Sequence, residues 1–440
     1  MTADGHERLG AASSDRPPGV RVVLDARPLQ APDRSPLAAA YLDGLLSAYD
    51  ADPLAGESFA FLLASDLDDP TGRFASLDVV GRRQLPPTRL LRSGAMTVDP
   101  FVLRGAVVGA AWHAERRGAA GAVYHAVGSG PLPIASGIPV IVTLLDLAPW
   151  ELPEAFGRTA VNRFGQRLRG QLLRDAAAVV VGSKATARAA RRLLRIRRDR
   201  LHVVPLAPRP EFAVRAGDAS AETLGARTAE AGAVRDRLGL DGRYLVFSGR
   251  FDARLDLGTL LSALADLARA GRPEALAPEV AWPPRILIVG ASPDDRASVA
   301  RAAARKGVGG SLVYAPALPV RDVADLVRGA HAAVSPVVSE AAGLPVIEAL
   351  AAGIPVVASA VGPLPELVGA AGLLVPPRDA GRLAVALKTI WADDDVHGTI
   401  STVALETARR ASRSWAEVAS ETREIYAAAG VRPARGEPRA

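Results

Sequence analysis

Short, nearly continuous apolar runs alternate with longer amphipathic stretches twice along this chain. Runs that are apolar throughout suit strands covered by helices on both sides, so the alternation predicts parallel, doubly wound sheets in an α/β protein. In the first half the runs are Arg21–Asp25, Phe59–Ser65, Leu77–Leu85, Ala122–Val127, Val140–Asp146, Ala177–Val181 and Leu201–Pro205. Helices are expected near Pro36–Tyr49 and from Glu154 to Asp175. Residues 208–241, rich in Ala, Gly, Arg and Glu, contain no such run and read as a connection. The runs resume at Tyr244–Ser248, Arg285–Gly290, Ser311–Ala315, His331–Ser335, Pro355–Ser359 and Leu373–Val375, with helices such as Leu257–Ala270 and Arg321–Gly329 between them. Two doubly wound domains follow. Ligands of such sheets bind at the carboxyl ends of strands, here in the cleft between the halves.

Composition narrows the chemistry. The 440 residues suffice for two or three domains, and 49% hydrophobic with 23% charged residues is a globular balance. Without cysteine there is no disulfide framework, thiolate metal site or cysteine nucleophile. The polar, acid-containing N-terminus is not a signal peptide, and no 18-residue apolar run stands free of charge, proline or glycine. A cytoplasmic location is the expectation. Net charge is +6 and almost wholly arginine, because the lysines are only Lys184, Lys306 and Lys388. Arginines cluster between Arg188 and Arg200, but aromatics are 5% of the chain and do not interleave with them, which argues against nucleic acid. That cluster reads as a solvated helix face or as a peripheral contact with the anionic inner face of a membrane. Asp66-Leu-Asp68-Asp69-Pro70 has the spacing of a metal motif, but Asp and Pro at a strand end make a turn. No metal site is expected.

The most informative stretch runs from Ser335 to Ser359. A strand ends at Pro336, a small-residue loop turns at Gly343, and Leu344-Pro345 opens a short helix, since proline is tolerated where the N–H would be unpaired anyway. Gly353 ends that helix before the next strand. A helix N-terminus behind such a loop can hold an anion. Glu340 and Glu348 flank it, and carboxylates accept hydrogen bonds from paired hydroxyls. A phosphate cradle between two hydroxyl acceptors describes a nucleotide-sugar site.

Glu340-Ala-Ala-Gly-Leu-Pro-Val-Ile-Glu348, followed by Gly353-Ile-Pro-Val-Val, resembles the E-x7-E signature of the retaining GT-B glycosyltransferases of family 4, glycosyl transferases group 1. The likeness extends from about Arg21 to Ala429. It implies two Rossmann-like domains facing across a cleft. Residues 1–19 would be a disordered N-terminus and 20–210 an acceptor-side domain. Residues 211–241 would link it to a nucleotide-sugar-binding domain over 242–410. A helix over 411–429 would cross back to the first domain, before a disordered tail over 430–440. The resemblance further implies transfer of a hexosyl-type sugar from a nucleoside diphosphate to a glycan, lipid or small-molecule acceptor, as in polysaccharide biosynthesis, without a metal or other cofactor. Glu348 would hold the ribose, Glu340 a donor-sugar hydroxyl, and the Gly343 and Leu344 amides with Arg250 the diphosphate; Ser339 is placed with these donor-binding residues.

Three departures from the family pattern face the donor. The family's lysine five residues after Arg250 is Leu255 here, with Arg254 one residue early. Its strand-end histidine is Leu145, although the following Asp146 is kept, and His125 on a neighbouring strand is a candidate replacement or a structural residue. Its glycine-rich first loop reads Ser35-Pro-Leu-Ala-Ala-Ala-Tyr41, leaving Arg27 and Arg34 as the basic groups there. These departures raise a second reading, a noncatalytic GT-B protein that binds a nucleotide sugar or a partner glycosyltransferase.

Overall fold

The computed structural model describes residues 17–86, 95–112, 119–213, 232, 234–249, 251–410 and 413–430. The stretches 1–16, 214–231, 233 and 431–440 lie outside them, and with them the expectations for the two ends and most of the linker.

The first sheet comprises β1 (Arg21–Asp25), β2 (Ser58–Ala64), β3 (Val79–Leu85), β4 (Ala122–Val127), β5 (Val140–Thr143), β6 (Ala178–Val181) and β7 (Leu201–Val203). All pairings are parallel, in the order β3-β2-β1-β4-β5-β6-β7. The second comprises β8 (Leu245–Ser248), β9 (Ile286–Val289), β10 (Leu312–Tyr314), β11 (Ala332–Ser335), β12 (Val356–Ser359) and β13 (Gly372–Val375), again parallel, ordered β10-β9-β8-β11-β12-β13. Winding reverses between β1 and β4 and between β8 and β11. Each reversal opens a crevice at the strand carboxyl ends.

Helices cover both faces of each sheet. One face of the first sheet packs on Pro36–Ala51 and on Trp415–Gly430; the other packs on Ala95–Ala111, Ala160–Asp175 and Lys184–Leu194. The helix expected from Glu154 to Asp175 breaks at Gly157, and a new one begins at Ala160, where the Thr159 hydroxyl accepts the Asn162 amide at 3.1 Å. The turn reading of Asp66–Asp69 is what the structure shows: Asp69 caps the turn Pro70–Arg73 through the Thr71 amide at 2.8 Å.

The last helix returns from the second domain to the first. Trp415 meets Tyr41 edge-on at 5.5 Å and donates its indole N–H to the Pro208 carbonyl at 3.0 Å. Arg423 forks onto buried Glu57 at 3.0 and 2.7 Å. Gly44 makes this close crossing possible, because a Cβ there would lie 2.2 Å from the Trp415 ring. Gly44→Ala is therefore expected to lose about 1–3 kcal/mol through overpacking. Urea unfolding followed by circular dichroism checks this; an unchanged midpoint would show slack at the crossing.

Candidate active site

The loop Pro336–Gly343, at the carboxyl end of β11, lies between the two domains. Gly343 has φ +74°, and a Cβ on it would sit 2.5 Å from Leu367, so the turn requires glycine. The helix Leu344–Ala351 follows, with Gly343 at its N-cap and no side chain capping its first turn. One oxygen of Glu340 accepts the amides of Ala341, Ala342 and Gly343 at 3.0, 3.0 and 2.9 Å. The carboxylate thus folds the loop that leads into the helix and takes one of the two amides, that of Gly343, that sequence reasoning offered to a donor phosphate. In this structure the Gly343 amide already has a partner, while Leu344 is buried beneath the loop.

The loop is seated against the first domain. Ser339 donates to the Glu151 carboxylate at 2.6 Å, and Thr186 donates to the Ala341 carbonyl at 2.7 Å. Ala341 and Ala342 pack into the two cores of the first domain. A second loop, at the end of β8, is stitched to the first: Val338 donates to the Arg254 carbonyl and Asp256 to the Pro336 carbonyl, both at 2.8 Å.

Arg254 joins the halves electrostatically. Its guanidinium holds Asp252 on its own loop, with contacts of 3.0 and 2.6 Å, and Asp146 of the first domain at 3.1 Å. Burial works against its charge, but Asp252, Asp146 and Glu340 outweigh this and raise its pKa. Asp146 in turn accepts the amide of Ala148, at the start of the short helix Ala148–Glu151, at 2.9 Å. Behind it lies Arg169, 1% exposed, donating to the carbonyls of Gly130 and Gly128 at 2.9 and 2.6 Å while its Nη1 has no hydrogen-bond partner. Burial pushes the Arg169 pKa down to about 10, with Asp146 opposing.

Glu348 is 3% exposed, and both its oxygens accept from Arg209, at 2.5 and 3.0 Å. Burial raises the Glu348 pKa and Arg209 lowers it, with burial ahead. Arg209 lies in the segment that leaves the first domain and rests on the Phe212 ring at 4.9 Å. A ribose at Glu348 must share or displace this arginine.

Two candidate site residues are committed elsewhere, and the two leucines at departures from the family pattern are packed. His125 does not reach the cleft: it is fully buried, bonded to Tyr426 at 2.6 Å and to Thr143 at 2.8 Å. Arg27 is committed to Asp25, at 2.8 and 2.7 Å, and to Asp99 at 3.4 Å. Leu145 belongs to the first-domain core. Leu255 packs against the second-domain core and pairs its backbone with Val337. Arg34 is exposed on its loop, and Arg250 lies outside the described residues. Sequence reasoning missed Arg209, Glu151, Thr186 and Arg169. Their partners are 39 to 188 residues away, so no local pattern announces them.

Among the described residues no group of three or more His, Asp or Glu side chains stands ready to hold a metal, and no helix is long and apolar enough to cross a membrane. Residues 242–393, the greater part of the second domain, match the family described as Glycosyl transferases group 1. No curated protein matches the chain by sequence. Solved structures match it over nearly their whole length. Sucrose-phosphate synthase of Thermosynechococcus elongatus aligns with TM-score 0.64 at 20% identity, over 92% of this chain and 98% of that one. The fold is GT-B. HepE of Anabaena, solved with UDP-glucose, aligns with TM-score 0.64 at 14% identity, over 93% and 99%. WaaG, a glycosyltransferase of lipopolysaccharide biosynthesis, gives TM-score 0.64 at 13%, over 92% and 99%. In GT-B terms the two loops and Glu348 belong to the second domain, while Asp146, Glu151 and Arg169 face them from the first.

Proposed function

We propose that this chain is a retaining family 4 glycosyltransferase, moving a sugar from a nucleoside diphosphate to an acceptor held on the first domain. The observation that carries the reading is the position of Glu340 and Glu348 on either side of one helix N-terminus, at the β11 end of the cleft. Glu348 takes the ribose hydroxyls and Glu340 a hydroxyl of the donor sugar. Arg254 and, by the resemblance, Arg250 take the diphosphate, and stabilising its departing charge is the electrostatic part of the reaction. No protein nucleophile is called for. HepE's complex with UDP-glucose puts UDP-sugars first among donors to try.

A noncatalytic nucleotide-sugar-binding protein is the second reading, favoured by the burial of Leu145, by the packing of Leu255 against the second-domain core and by the Arg209 fork on Glu348. Calorimetry with UDP, GDP, ADP and dTDP, alongside hydrolysis and transfer assays on the matching sugars, decides between them. At least one diphosphate is expected to bind. Glu348→Gln should weaken it by about tenfold or more, since each charge-assisted bond contributes about 1.5–3 kcal/mol. Binding with turnover supports the enzyme; binding without turnover of any donor supports the second reading. No binding at millimolar ligand removes both.

A further inference from the structure

The helix Ala95–Ala111 is apolar on both sides. Leu103, Ala106 and Val107 face the first sheet, yet Val98, Phe101, Val102, Val108 and the adjoining Trp112 are exposed, Phe101 at 62% and Trp112 at 69%. Their spacing draws one stripe along the outer side of the helix. Exposed apolar stripes of this kind mark an interaction surface. The neighbouring helix Ala160–Asp175 lies on the same side of the sheet and exposes Val161 and Phe164.

Charge selects what covers this face. On these two helices Arg104, Arg163, Arg167 and Arg174 are exposed, whereas Asp175 is the one exposed acid among the described residues. Asp99, the other acid, is buried against Arg27. Two copies meeting about a twofold axis would press arginines of like sign together. A surface of anionic lipid headgroups accepts the arginines, and the aromatic side chains enter the boundary below them. The Arg188–Arg200 cluster expected from the sequence is partly committed elsewhere: Arg188 pairs with Glu366 of the second domain, Arg197 with Asp199, and Arg200 with the Arg174 and Ala176 carbonyls.

We propose that the outer face formed by helices Ala95–Ala111 and Ala160–Asp175 docks on an anionic lipid surface through Phe101, Trp112 and Phe164, steered by Arg104, Arg163 and Arg167. The proposal is independent of what the cleft binds. Its test is co-sedimentation of the full chain with phosphatidylcholine vesicles, with and without phosphatidylglycerol. Binding is expected only with the anionic lipid, and it should weaken at about 1 M salt, where charge is screened within about 3 Å.

Phe101→Ser with Trp112→Ser should reduce that binding by about tenfold or more. Arg163→Glu with Arg167→Glu should reduce it by about thirtyfold or more, at about 1 kcal/mol per arginine. All four positions are exposed, and unchanged circular dichroism and thermal midpoints establish that the variants fold. Absent binding, equal binding to neutral vesicles, or indifference to both variants would overturn the proposal. So would a solution dimer abolished by Phe101→Ser with Trp112→Ser, which would assign the face to a second copy. Tight binding to polyglutamate without vesicle binding would assign it to an acidic protein, with the same consequence.

Discussion

Arg209→Met is expected to destabilise the protein by about 3–5 kcal/mol in urea unfolding, the range for leaving one member of a buried ion pair without its partner. Methionine keeps the aliphatic stem but loses the guanidinium contact with the Phe212 ring, which contributes about 0.5–1 kcal/mol. What remains is the Glu348 carboxylate, 3% exposed and deprived of both guanidinium hydrogen bonds, with the backbone amide of residue 209 left to it. Burial already raises its pKa against the pull of Arg209, so losing the arginine raises it further. A carboxyl whose folded pKa exceeds its unfolded value binds more protons when folded, and stability falls as pH rises through that window. The deficit of Arg209→Met should therefore shrink on acidification toward the ordinary carboxylate range. The double variant Arg209→Met with Glu348→Leu should recover most of it, because an apolar pair can replace a buried ionic one at little cost. A single-variant loss below about 1 kcal/mol would mean that water reaches Glu348 freely and that its pairing is not structural.

This pair also marks where reading the sequence stopped. Strand alternation was legible because helices on both faces force each buried strand to be apolar along its length, as in Val22–Leu24 and Ile286–Val289. The Gly343 turn was legible because only glycine fits its φ, and the two glutamates because their spacing brackets that turn. The helix Ala95–Ala111 was not. Its apolar residues face both ways, so the one-sided periodicity of a surface helix is missing, and Pro100 interrupts it. Arg209 was illegible for a different reason: its partner is 139 residues away, and Leu-Ala-Pro-Arg-Pro reads as an ordinary connection. Leu255 could be seen to lack a charge, but not to turn toward the second-domain core and leave Arg254 to span the cleft.

Acid should weaken the first domain through His125. The imidazole is fully buried between β4 and the last helix, with Tyr426 on Nδ1 and Thr143 on Nε2. Burial lowers its pKa from 6.5 to about 3, so it stays neutral in the folded chain while the unfolded chain takes up a proton. Between those values the unfolded state binds more protons, and stability is lost as pH falls from 6.5. At about 1.4 kcal/mol per unit, the full penalty below pH 3 is about 5 kcal/mol, of which about 2 kcal/mol develops between pH 6.5 and 4.5. His331 adds to the slope. Burial, with His397 stacked at 3.5 Å and Arg243 nearby, lowers its pKa to about 4, although the Ile390 carbonyl and Asp394 oppose this. The comparison that isolates His125 is His125→Asn, which keeps hydrogen-bonding capacity but cannot titrate. Its stability should be lower than that of wild type at pH 7 and fall about 2 kcal/mol less between pH 6.5 and 4.5. Parallel curves for the two chains in urea titrations would show that His125 takes up its proton without unfolding, and that the contact between β4 and the last helix admits water.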